Sequence, residues 1–68
     1  MNSAVWVLSI KEEGKRRYLA HVQDEDAANQ YINRKLQDRA GNWKTEIKED
    51  GMYLISDKYV LKRFEIYR

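Results

Sequence analysis

Two segments of this 68-residue chain are punctuated in the same way. Trp6-Val7-Leu8-Ser9-Ile10-Lys11-Glu12-Glu13-Gly14 is echoed by Trp43-Lys44-Thr45-Glu46-Ile47-Lys48-Glu49-Asp50-Gly51, with Trp, Ile, Lys, Glu and Gly repeated in place. A Tyr-Leu pair follows each, Tyr18-Leu19 and Tyr53-Leu54. Two copies are too few for a solenoid, which needs about three or more. Whether the echo is a duplication or the common result of acidic-Gly turns after alternating strands, both segments read as β-hairpins. An acidic pair followed by Gly suits a three-residue loop, in which Gly takes a left-handed conformation without a Cβ clash.

If Glu12-Glu13-Gly14 is such a loop, Lys11 lies opposite Lys15, Leu8 opposite Tyr18, Trp6 opposite Ala20 and Ala4 opposite Val22. Trp6, Leu8, Ile10, Tyr18, Ala20 and Val22 then share the core face, whereas a one-residue shift scatters the set. The opposite face carries Val5, Val7, Ser9, Arg17, Leu19 and His21. For the second hairpin two registers stay open. A three-residue Glu49-Asp50-Gly51 loop pairs Ile47 with Tyr53, and an Asp50-Gly51 turn pairs Ile47 with Leu54.

Between the hairpins the sequence predicts one helix, from about Asp24 to Ala40. Asp24 is an N-cap, and Glu25 and Asp26 suit the positive end of the helix dipole. Arg34, Lys35 and Arg39 suit the other end, with Gly41 as a left-handed C-cap. Ala28, Tyr31, Ile32, Leu36 and Ala40 form one apolar stripe. From Asp57 to Arg68 strand and helix compete. The strand is favoured because Val, Phe, Ile and Tyr are better strand formers, and Ser56-Asp57-Lys58 has turn composition. The expected fold is α+β, ββαβββ. A small antiparallel sheet of two hairpins and a C-terminal strand carries one amphipathic helix on one face. Residues 1–68 read as a single domain without a linker.

Composition narrows the chemistry. With no cysteine, and His21 as the only histidine, neither a disulfide framework nor a Cys/His zinc site can staple the chain. Hydrophobic residues at 43% are too many for a disordered segment. No apolar run approaches the roughly 20 residues of a spanning helix, and Met1 to Ile10 lacks the basic start of a secretory signal. A cytoplasmic domain without a membrane partner is expected. Asp24 and Asp26 have the spacing that opens a calcium loop, but Asn29 stands where such a loop has its Gly. Gly14 and Gly51 are isolated turn glycines, and Glu12-Glu13 and Glu49-Asp50 sit at hairpin tips where nothing raises their pKa. No nucleophile accompanies His21. No catalytic residue, metal site or cofactor is expected.

Binding remains. The half-apolar outer face of the first hairpin has the composition of a protein interface, which makes Val5, Val7, Arg17, Leu19 and His21 the candidate contacts for a protein partner or a second copy of the chain. The alternative is nucleic acid. Lys15-Arg16-Arg17 is a basic run, and Lys62, Arg63, Tyr67 and Arg68 extend it if the last strand lies beside the first hairpin. Tyr18, Tyr59 and Tyr67 would be stacking groups.

A hairpin leading into Asp24-Glu25-Asp26-Ala27-Ala28-Asn29-Gln30-Tyr31-Ile32 resembles many small bacterial and bacteriophage proteins over about residues 4–36. The resemblance implies a stoichiometric role, as inhibitor or adaptor, by occluding a protein or modulating an assembly.

Overall fold

The computed structural model describes residues 2–67, and side chains over 4–65. Its elements run β1 (Asn2–Glu12), β2 (Lys15–Val22), α1 (Glu25–Lys35), β3 (Lys44–Lys48), β4 (Gly51–Ser56) and β5 (Tyr59–Tyr67). The strands form one antiparallel sheet in the order β2-β1-β5-β4-β3, the expected ββαβββ arrangement. The C-terminal segment is therefore a strand, and a central one.

The first hairpin turns more tightly than the three-residue loop read from the sequence. Glu12 pairs with Lys15, so only Glu13 and Gly14 lie in the turn, both at positive φ (52° and 79°). That is the backbone of a two-residue type I′ turn, whose twist matches that of the flanking strands. A turn of this length alone would put β2's apolar residues on the wrong face. A bulge corrects it, because Ser9 pairs with Tyr18 and Leu8 with Ala20, leaving Leu19 as the extra residue. Ala20 and Val22 stay on the core side, as expected from the sequence. Tyr18 does not: it turns to the outer face and is 55% exposed.

The second hairpin adopts neither register considered above. Ile47 pairs with Met52 and Lys48 with Gly51, so Glu49-Asp50 forms the turn. Gly51 follows at φ 137°, a conformation L side chains avoid.

Helix α1 begins as its sequence dictates: the Asp24 carboxylate accepts from Ala27 N at 2.8 Å. It ends early. Leu36 is the C-cap and Gln37 takes φ 52°, so neither the extension to Ala40 nor the Gly41 cap is present. A local closure makes the stop, with the Asp38 backbone N–H bonded to Ile32 O at 3.2 Å across the left-handed Gln37, and a tertiary tie accompanies it. The Asp38 carboxylate accepts from the Tyr59 hydroxyl at 2.6 Å and pairs with Lys58 at 3.3 Å, which draws the chain off the helix axis towards β5. Gly41 instead passes close to β4, where an added Cβ would lie 3.4 Å from Ser56 Oγ.

The core lies between α1 and one face of the sheet. Leu8, Ile10, Val22, Ala28, Ile32, Tyr59 and Leu61 form one buried cluster, with Trp6, Leu19, Leu36, Trp43 and Leu54 packed around it. Fully burying a residue such as Leu8 or Ile32 contributes about 1.5–3 kcal/mol. Trp43 ties β3 to the helix by donating Nε1–H to Asn29 Oδ1 at 2.9 Å. Both sheet edges carry protection against further pairing. The edge of β2 is bulged and begins with Lys15, Arg16 and Arg17, and β3 is short with Lys44 and Lys48 at its ends.

Candidate functional site

The other face of the sheet carries no helix. The pairings place Val5, Val7, Ser9 and Lys11 of β1 on it, with Val60, Lys62 and Phe64 of β5 and Tyr53 and Ile55 of β4. Tyr18 and His21 join from β2, and Lys44, Glu46 and Lys48 from β3. Yet Tyr53 is only 3% exposed and Val60 only 2%. With no helix above them, they are covered by side chains of the sheet itself.

Charged stems supply that cover. Around the Tyr53 ring centroid lie Lys48 Nζ at 5.0 Å, Lys62 Nζ at 5.4 Å and Arg16 Cζ at 5.8 Å. Such distances suit cation–π attraction, and long basic side chains bury their methylenes while the charged heads stay wet. Arg16 belongs to β2, three strand spacings from β4, or about 14 Å across a flat sheet. Its closeness to Tyr53 means that the long Arg16 side chain leans across the strands between them on this face. The Tyr53 hydroxyl donates to Asp50 Oδ2 at 2.6 Å, and Lys62 donates to the same oxygen at 3.1 Å. Those bonds hold the Asp50 carboxyl below the usual carboxylate range and raise the Lys62 ammonium above its ordinary value.

Towards the other end of the face the surface turns apolar. Phe64 pairs with Val5 and is 43% exposed, with Lys62 Nζ 4.9 Å from its ring. Val7 lies between His21 and Lys62, and Val5 and Val7 are both half-buried. Tyr18 and His21 stand on the same side because the bulge lies between them, and a hydrogen bond joins the Tyr18 hydroxyl and His21 Nδ1. Val5, Val7, Tyr18, His21 and Phe64 thus form a diagonal apolar and aromatic band.

The protein-contact set read from the sequence is divided by this geometry. Val5, Val7 and His21 do share the helix-free face. Arg17 and Leu19 do not, because the tight turn and bulge move them: Arg17 pairs with Ile10, and Leu19 packs against the core. Arg17 also holds an ion pair with Glu12 at 3.1 Å. The nucleic-acid set is divided too. Arg16 and Lys62 lie on the helix-free face, while Lys15 and Arg63 stand on the other, paired across strands with Glu12 and Trp6. Arg63 is bonded to Glu65 at 3.0 Å. Tyr59 is 1% exposed and cannot stack on a base. The Tyr67 side chain and Arg68 lie outside the described residues.

Sequence reasoning passed over Lys11, Lys48, Tyr53 and Phe64. The echo held a signal for the two lysines, since Ile-Lys-Glu precedes both turns. Each Ile is on the helix side, so each Lys falls on the opposite face. Among the described residues no cluster of three His, Asp or Glu side chains could hold a metal ion, and no helix is long and apolar enough to cross a membrane. No family model, no curated protein and no solved structure matches the chain.

Proposed function

We propose that the chain is a non-enzymatic docking module that binds another protein through the helix-free face, as a stoichiometric inhibitor or adaptor. One observation carries this. Of the three large hydrophobic side chains exposed among the described residues, Tyr18 and Phe64 lie on that face, beside half-buried Val5 and Val7; the third, Ile47, sits on the β3 edge strand. Aromatic residues flanked by aliphatic ones are the usual anchors of protein interfaces.

The charge around the band specifies the partner. Lys11, Arg16, Lys44, Lys48 and Lys62 stand on this face against Glu46, with Asp50 at its rim. A complementary partner presents carboxylates around an apolar contact. The test is capture from lysate of the cell in which the chain is made, or of its host, with nuclease and at two salt concentrations. The expected result is one near-stoichiometric protein with an acidic surface that survives both treatments. Recovery of nucleic acid alone, lost as salt rises, would contradict the proposal and favour phosphate-backbone binding.

A further inference from the structure

The helix-free face holds a cleft of about 250 Å³ lined by Lys11, Arg16, Lys48, Tyr53, Ile55 and Val60. Its cations come from three different strands, β1, β2 and β3, and its floor is the Tyr53 ring with Ile55 and Val60. Arg16 and Lys48 lie over one buried ring with Lys11 lining the same cleft, and like charges so gathered repel one another unless an anion lies between them. The available carboxylates do not fill that place. Asp50 is taken by Lys62 and the Tyr53 hydroxyl, and Glu46 reaches Lys48 only at 3.8 Å. Neither Lys11 nor Arg16 has a carboxylate within ion-pair distance among the described residues.

We infer that this cleft is a phosphate-binding site. The Arg16 guanidinium offers a planar fork that matches two phosphate oxygens, and the Lys11 and Lys48 ammonium groups reach the others as point charges. A carboxylate, with two oxygens in one plane and a single charge, would satisfy the arginine and leave both lysines without a partner. A tetrahedral dianion meets cations converging from three strands. The phosphate is free or a monoester, since a diester link of a nucleic-acid backbone carries one charge and two free oxygens and meets the three cations no better than a carboxylate does. The inference does not rest on protein docking.

The test is titration of the isolated chain with inorganic phosphate at constant ionic strength, followed by amide and side-chain NMR. Saturable shifts are expected at Lys11, Arg16, Lys48 and Tyr53. Arg16→Gln should weaken binding by about tenfold or more, the loss expected for charge-assisted hydrogen bonds, and Arg16→Lys should restore it only in part. Lys15→Gln makes the same charge change on the other face and should alter affinity by less than about twofold, because the Lys15 side chain contacts none of the cleft and its exposed charge acts through solvent. Should Arg16→Gln fail to fold, Lys48→Gln makes the same test. A single-stranded oligonucleotide, whose diester links carry one charge each, should not displace phosphate from these residues, and displacement at matched ionic strength would overturn the dianion assignment. Shifts that stay linear in phosphate, or equal binding by Arg16→Gln and Lys15→Gln, would overturn the assignment.

Discussion

Tyr59, the first residue of β5, donates its hydroxyl to the Asp38 carboxylate at 2.6 Å and so ties the segment after the helix to the sheet. The bond has two titratable ends. Burial above all, and then the Asp38 carboxylate, pushes the Tyr59 phenol up to about 12. The Tyr59 hydrogen bond, the Arg39 amide and Lys58 hold Asp38 below its ordinary 3.8.

The alkaline sign follows from proton counting. Between pH 10.0 and about 12 the unfolded chain has released the Tyr59 proton while the folded chain keeps it. Stability is therefore full below pH 10.0 and falls by on the order of 2–3 kcal/mol across that interval. Asp38 behaves in the opposite sense: its contribution is complete above its unfolded value and is lost as pH falls below 3.8 through the folded one. Chemical denaturation across pH should show both limbs. Tyr59→Phe should flatten the alkaline limb and cost about 1–2 kcal/mol near neutrality, while Asp38→Asn should flatten the acid limb.

Glu13 sits at φ 52° in a turn that favours Asn or Gly at that position. Glu13→Asn should raise stability by about 0.5–1 kcal/mol, since the short Asn amide hydrogen-bonds locally and tolerates the left-handed conformation better than Glu. A thermal melt of the two proteins checks this, and an unchanged or lower midpoint would count against the type I′ geometry.

Ser56 and Leu8 form a contrast within the sheet. Both are buried, at 2% and 0% exposure, but Ser56 Oγ has no hydrogen-bond partner. Ser56→Ala removes an unsatisfied hydroxyl and should be neutral or stabilising by up to about 1 kcal/mol. Leu8→Ala opens a cavity under the helix and should cost about 2–5 kcal/mol. A domain of this size has only about 3–10 kcal/mol in total, so urea titration should find Leu8→Ala close to unfolded.

Much of the fold was legible because local signals agreed with the tertiary arrangement. The acidic-Gly turns, the Asp24 cap and the Ala28–Ile32 stripe each point to the element that forms. What the sequence hid was competition between levels. The hairpin reading assumed an unbroken ladder, under which a two-residue turn would scatter the core residues. The bulge at Leu19 permits the tight turn and keeps Ala20 and Val22 inside, at the cost of turning Tyr18 outward. The helix pattern continues through Leu36 and Ala40, but left-handed Gln37 closes the helix first, and Asp38 then bonds Tyr59, a residue far along the chain.

The candidate site was legible in part for the same reason. Val5, Val7 and His21 keep the face their alternation assigns, and Arg17 and Leu19 lose it to the bulge. The gathering of Arg16, Lys48 and Lys62 over Tyr53 depends on which strands the sheet places side by side, which no local pattern of residues encodes.

The most direct measurement compares two double variants for affinity to the captured partner. Tyr18→Ala with Phe64→Ala strips the anchors from the helix-free face, and Gln30→Ala with Asn33→Ala changes exposed positions of α1. With both confirmed as folded by circular dichroism, docking through the helix-free face predicts that the first loses at least about tenfold in affinity and the second less than about twofold. Equal affinities, or a loss confined to the helix variant, would contradict it.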